Sequence, residues 1–136
     1  MRSRTHSALA SALRCLLLSL ALLLGLPAQI GWAQAPPDIE ATFKRMLAAT
    51  ESRSLSAFVA DGDASFRTDI TPAMFSSFSA QFALRLKQGY TTTFVTQLRQ
   101  GGYAVYVWKL EFKDGRDDLL FTLAVKDGKV GGFLLR

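Results

Sequence analysis

Three glycines, Gly102, Gly115 and Gly128, stand thirteen residues apart near the end of a 136-residue chain, separating runs rich in Val, Phe, Tyr, Thr and Leu. Two of them lie in a repeated phrase, Lys113-Asp114-Gly115-Arg116 and Lys126-Asp127-Gly128-Lys129. Asp-Gly between alternating apolar runs is a hairpin signal, because both turn residues must take positive φ. The spacing predicts four antiparallel strands in a meander, over 90–100, 103–113, 116–126 and 129–135. A two-residue turn at Asp114-Gly115 pairs Lys113 with Arg116 and sets Leu110 opposite Leu119, Trp108 opposite Phe121 and Tyr106 opposite Leu123. The same turn at Asp127-Gly128 sets Val125 opposite Val130 and Phe121 opposite Leu134. Nearly all these pairs are apolar and they share one face; a slip of one residue would put Trp108 and Phe121 on opposite faces. Trp108, Phe121 and Leu134 are therefore expected in line beneath a layer of helices. The other face would carry Val105, Val107, Lys109, Leu120, Thr122, Phe133 and Leu135. An exposed patch of that kind marks an association surface unless another element covers it. Gly101-Gly102 leaves the register of the first strand open, and Gly131-Gly132, inside a strand, suits a bulge or close packing.

Upstream of residue 90 the apolar period is 3.6. Asp38 is read as an N-cap, with Ile39, Phe43, Met46 and Leu47 on one helical stripe after it. A shorter helix is expected over Ser54–Ala60, burying Leu55, Phe58 and Val59 and ended by Asp61-Gly62-Asp63. Thr71-Pro72 opens a third, with Thr as cap and Pro at the first helical position. Its face carries Phe75, Phe78, Phe82 and Leu86, its polar side Ser76, Ser77, Gln81, Arg85 and Gln88, and Gly89 ends it.

The first 33 residues read as a secretory leader. Arg2, Arg4 and Arg14 precede an apolar run, Cys15–Leu26, and small residues follow. Twelve helical residues rise roughly 18 Å, short of the ~30 Å hydrocarbon layer, so cleavage is favoured over a membrane span. Cleavage after Ala33 leaves a linker over 34–37 and a domain over 38–136. Losing those three arginines takes Lys plus Arg from 16 to 13 against 11 Asp plus Glu, so the formal charge falls from +5 to +2. No basic run of the nucleic-acid kind remains. The only Cys, Cys15, and the only His, His6, leave with the leader. The exported domain, periplasmic or secreted, must then stand on its apolar core without disulfides.

That loss narrows the chemistry. The usual His and Cys zinc ligands are gone. The acidic clusters, Asp61 with Asp63 and Asp114 with Asp117 and Asp118, lack the alternating oxygen ligands and terminal bidentate acid of a calcium loop. No metal or cofactor is expected. The serines at 76, 77 and 79 have no evident base to activate them. General acid–base work would fall to a single carboxylate, with Asp69 and Glu111 as candidates. Tyr106, Trp108 and Phe82 would line any hollow left over the sheet, with Arg85 at its rim; the alternative is that they are packed core.

The amphipathic first helix, the stretch LSAFVADGDASF, the hairpin GGYAVYVWKLEFKDG and the closing DGKVGGFLLR together resemble the nuclear transport factor 2-like superfamily, and within it an uncharacterised bacterial domain family. The likeness runs over Asp38–Arg136. It implies a cone-shaped α+β fold, cystatin-like in outline, with N-terminal helices packed on a curved four-stranded antiparallel meander and a pocket at the wide end. It also implies a homodimer through the outer sheet face, by way of Val105, Val107, Lys109, Leu120, Phe133 and Leu135. Relatives such as ketosteroid isomerases and scytalone dehydratases are enzymes. Here the first helix lacks the isomerase-type Tyr, and no dehydratase-type His survives cleavage. The expectation is an exported, non-catalytic binding or accessory domain holding a small apolar ligand or a protein partner. The alternative is a small isomerase, dehydratase or cyclase working through one carboxylate.

Overall fold

The computed structural model describes residues 33–136. The expected leader falls on residues 1–32, outside the described ones. Four helices, α1 (Pro37–Glu51), α2 (Leu55–Phe58), α3 (Ala64–Asp69) and α4 (Pro72–Gln88), precede four strands, β1 (Tyr90–Gln100), β2 (Tyr103–Phe112), β3 (Leu119–Lys126) and β4 (Lys129–Leu135). The strands form one antiparallel sheet in the order β1-β2-β3-β4, which is the expected α+β meander.

Helix α1 starts two residues earlier than its sequence signal. Pro36 takes the cap position and Pro37 the first helical one, where a missing N–H costs nothing. Asp38, expected as the cap, instead lies with Glu40 in the first turn, where acids oppose the positive end of the helix dipole. The predicted stripe of Ile39, Phe43, Met46 and Leu47 is buried. Thr50 joins it by donating its hydroxyl to the Met46 carbonyl at 2.9 Å.

Ser54 caps α2, which buries Phe58 and keeps Leu55 and Val59 half-buried against the core. Asp61-Gly62-Asp63 does more than end this helix. The Asp63 carboxylate accepts from the Phe66 N–H at 2.7 Å and begins α3, an element not expected from the sequence. Phe66 explains why so short a helix persists: it is buried, stacked on Phe58 with centroids 6.2 Å apart. Helix α4 matches its signals, with the Thr71 hydroxyl accepting from the Met74 N–H and Gly89 at φ +104° ending it.

The sheet register tests the turn argument pair by pair. Leu110 faces Leu119, Trp108 faces Phe121 and Tyr106 faces Leu123, as the Asp-Gly turn requires. The ladder stops there. Lys113 and Arg116 do not pair and β3 begins at Leu119, because Asp114 is drawn to Arg85 and the 113–118 segment opens into a wider loop.

Val125 faces Val130, but one residue later the register slips, and Phe121 faces Leu135 rather than Leu134. Gly131 is the extra residue of this bulge. A Cβ there would come within 2.5 Å of the Tyr103 ring as it now lies, so glycine lets the strand pass beneath the ring without moving it. The slip turns Phe133 onto the helix side, 5.0 Å from Phe58, 5.1 Å from Phe78 and 6.2 Å from Phe121 between ring centroids. Leu135 follows it against the core, and Leu134 moves to the outer face with 47% of its surface exposed. Phe133 and Leu135 therefore leave the expected outer-face set, and the expected line of Trp108, Phe121 and Leu134 loses its third member.

A second bulge at Val95 sets the register of β1, with Phe94 opposite Trp108 on the helix side and Leu98 opposite Val105 on the outer side.

Candidate functional site

The helix-facing side of the sheet is where a hollow was expected, and side chains occupy it. Phe43 from α1 lies flat on Trp108, with centroids 4.2 Å apart and planes 7° from parallel, and meets Phe121 edge-on at 5.1 Å. Trp108 also receives Phe94 edge-on at 5.5 Å and is only 1% exposed. Its indole N–H donates to Glu40 Oε2 at 2.9 Å, giving the buried ring the partner that an indole donor needs. Glu40 is steadied from outside by Lys44, one turn on, at 3.4 Å. Tyr106 is buried beside Trp108, with centroids 6.2 Å apart.

The other two predicted lining residues lie along α4. Phe82 is half-buried and packs on Phe78 at 5.1 Å, within the Phe58–Phe66–Phe75–Phe133 cluster. Arg85 is no rim residue on a solvated helix face; it is 7% exposed. Its guanidinium lies 3.9 Å from the Phe112 ring centroid and donates to Asp114 at 2.7 Å and to the Asp117 carbonyl at 3.0 Å. The four residues thus form two pairs, Tyr106 with Trp108 under α1 and Phe82 with Arg85 along α4. The Arg85 side chain, with further hydrogen bonds from Arg116, holds the Asp114 carboxyl down at about 2, well below its ordinary range.

Among the described residues no three of His, Cys, Asp and Glu converge as metal ligands. Asp61 instead accepts two bonds from Arg45, at 2.7 and 2.9 Å, and Asp63 is the α3 cap. Asp69 is exposed at the end of α3. Glu111 lies on the outer face, 3.1 Å from Lys109, whose pKa is raised by that contact and by Asp118.

A recess of ≈ 250 Å³ opens between α1 and the β3–β4 hairpin, with Ile39, Val125 and Val130 as its apolar wall and Asp38, Thr42, Arg45 and Asp61 around it. Sequence reasoning had no signal for it, because Arg45 and Asp61 sit on different elements and meet only through the fold.

The outer sheet face is the remaining candidate, and here the bulges matter. Registration places Leu98, Val105, Ala124 and Gly132 in one cross-strand row, and Thr96, Val107, Thr122 and Leu134 in the next. Leu98, Leu120 and Leu134 are 49%, 37% and 47% exposed. Charged groups bracket these rows: Lys109, Glu111 and Asp118 are linked at one end, and Lys126 lies over the Tyr103 ring at the other. Of the residues predicted for this face, Val105, Val107, Lys109 and Leu120 are on it. Leu98 and Leu134 belong to it too, and the bulges hid them from the pattern.

No family model and no curated protein matches the chain. Among solved structures, it is similar to an uncharacterized cystatin-fold protein from Novosphingobium aromaticivorans. The two share 16% identity with a TM-score of 0.41, over 75% of this chain and 99% of that one. No helix among the described residues is long and apolar enough to cross a membrane.

Proposed function

We propose that the chain is an exported, non-catalytic binding or accessory domain that works through the outer face of its sheet, against a protein partner or a second copy of itself. The supporting observation is the contrast between the two faces. The helix side is filled by the Phe43–Trp108–Phe121 packing, while the outer side leaves three leucines between about one third and one half exposed in adjoining rows. A contiguous apolar area with a charged border is the usual make-up of a contact surface. This favours the protein-partner half of the expectation over a small apolar ligand held inside. The single-carboxylate enzyme draws no support from an exposed Asp69 or from a Glu111 tied to Lys109.

A photo-crosslinking residue at Val107, introduced in the producing cell, tests the surface directly. A discrete covalent adduct from position 107, and none from Ser77 on the exposed side of α4, is the expected result. Equal labelling from both positions, or none from 107, overturns the assignment. Native mass spectrometry of the purified protein tests the ligand half; a retained apolar molecule would return the function to the helix side.

A further inference from the structure

An open four-stranded sheet has two edges, and among the described residues only one of them is covered, in part. Along β4 the Val130 N–H donates to the Asp61 carbonyl at 2.9 Å and the Asp63 N–H to the Val130 carbonyl at 2.8 Å, so the α2–α3 connection covers the start of that edge. Strand β1 is the longest of the four, at 11 residues. Among the described residues its backbone bonds to β2 and to nothing else. Folded proteins commonly blunt such an edge with proline, lysine or inward-pointing charge. Here the sequence from Tyr90 to Gln100 has no proline, lysine or acid; its two blunting devices are the Val95 bulge, which interrupts the strand midway, and Arg99, which its pairing with Ala104 places on the helix side.

From the hydrogen-bond phase of the strand we infer that two copies of this chain join edge to edge through residues 96–100, antiparallel about a two-fold axis at Leu98. Gly101 and Gly102, both at positive φ, form a two-residue loop, which makes Gln100 and Tyr103 a mutually bonded pair. Bonded and non-bonded pairs alternate along an antiparallel ladder. Leu98 therefore bonds to Val105, while the N–H and C=O of Gln97 and Arg99 point away from β2.

Those outward groups are self-complementary. With the axis on Leu98, Gln97 of one copy meets Arg99 of the other and exchanges both backbone bonds with it, on each side of the axis. The two Leu98 residues then face each other as a non-bonded pair, the arrangement in which side chains come closest. They lie on the outer face, where each is 49% exposed alone, so the apolar row from Gly132 to Leu98 continues into its mate. Each Arg99 sits across from a Gln97 and not from its own copy. Residues 97–100 are all exposed, so no helix obstructs the approach. The Val95 bulge limits pairing to five residues, which makes this a weak association that leaves both outer faces open.

The inference goes beyond the proposed use of the outer face, and one set of variants separates the two. Sedimentation of the purified protein between about 10 μM and about 1 mM, the range fitting so small a contact, is expected to show monomer passing to dimer. Gln97→Pro removes an N–H that β2 does not use and should hold the protein monomeric throughout. Leu134→Lys, in the middle of the outer face, should leave the dimer intact. A protein that stays monomeric across this range overturns the inference. So does a dimer abolished by Leu134→Lys and untouched by Gln97→Pro, which would instead place the second copy on the outer face. Hydrogen exchange of the unmodified protein covers the case in which the proline variant fails to fold. The Gln97 and Arg99 amides should gain protection as concentration rises, and unchanged exchange overturns the pairing.

Discussion

Asp114 occupies the second position of a Lys-Asp-Gly phrase whose local purpose is to turn the chain, yet its carboxylate is committed elsewhere. It accepts from Arg85 at 2.7 Å and from the Arg116 side chain and backbone N–H groups, both at 3.0 Å. Its pKa accordingly falls from 3.8 to about 2. A carboxyl whose folded pKa is depressed contributes stability above its unfolded value and loses it as pH falls through the folded one. The contribution should be whole at neutral pH and disappear between roughly pH 4 and pH 2. Asp114→Asn is thus expected to lower Tm at pH 7, with the gap to the unmodified protein closing as pH is lowered through that window. Thermal melts of the two proteins from pH 7 to pH 2 check this, and a gap independent of pH contradicts it. The glycines offer a second residue-scale comparison. A Cβ on Gly62 would meet the Phe66 ring at 2.5 Å and the Val59 carbonyl at 3.0 Å, and Phe66 is wedged among buried rings. A Cβ on Gly131 would meet only the outer ring atoms of Tyr103, which is half-buried and able to swing. Gly62→Ala should cost about 1–3 kcal/mol in urea unfolding, the usual range for forcing extra volume into a packed site. Gly131→Ala should cost less, and less again when Tyr103 is also reduced to Ala.

Among elements, α3 is the one whose existence hangs on two side chains, Asp63 and Phe66. Six residues are too few to be helical on their own account. Asp63 caps it at 2.7 Å, and Phe66 fixes it to the aromatic cluster. Asp63→Ala should therefore cost about 1 kcal/mol while Asp63→Ser stays near the unmodified value, since serine also caps well. Chemical denaturation of the three proteins decides it. The same element shows what was legible in the chain. Ser54, Thr71-Pro72, Gly89 and Asp127-Gly128 act within a few residues of themselves, and their helix starts, helix end and turn formed where the sequence placed them, whereas Asp114-Gly115 opened into a wider loop. Asp61-Gly62-Asp63 carries an equally local signal with two meanings, an end and a start, and only the burial of Phe66 selects the second. The two bulges were legible to different degrees: Gly131-Gly132 marked a bulge as one reading, with close packing the other, while nothing in the sequence marked Val95. What neither position disclosed was the resulting register, because periodicity alone cannot register an inserted residue; the Tyr103 ring that lies over Gly131 also comes from far along the chain. One slip was enough to exchange Phe133 for Leu134 between faces. Arg85 was misplaced likewise, because its partner stands 29 residues away in a loop.

For the molecule as a whole, the question left by the sequence was whether the aromatic face of the sheet encloses space or fills it. Composition leaned towards a packed core without deciding it, since Trp, Tyr and Phe also line pockets. The filled state rests on one stack: Phe43 lies parallel to Trp108, and Phe94 and Phe121 meet these rings edge-on. Removing the indole should therefore both destabilise the protein and open a hollow where the ring now packs. Trp108→Ala is expected to cost about 3–5 kcal/mol, as large aromatic truncations in cores do. Part of that cost comes from leaving Glu40 without its indole donor. A cavity walled by Phe43, Phe94 and Phe121 is apolar except where the Glu40 carboxylate meets it, which suits a small aromatic guest carrying an N–H donor. Indole added to Trp108→Ala should raise its Tm in proportion to RT ln(1 + [L]/Kd), whereas the unmodified protein should show no shift. If the variant is too unstable to purify, Trp108→Leu gives a smaller cavity on the same footing, to be probed with benzene in place of indole. A Tm shift of equal size in the unmodified protein would mean that its helix side already admits small aromatics. Function would then belong to that side, and the half-exposed leucines of the outer face would need another explanation.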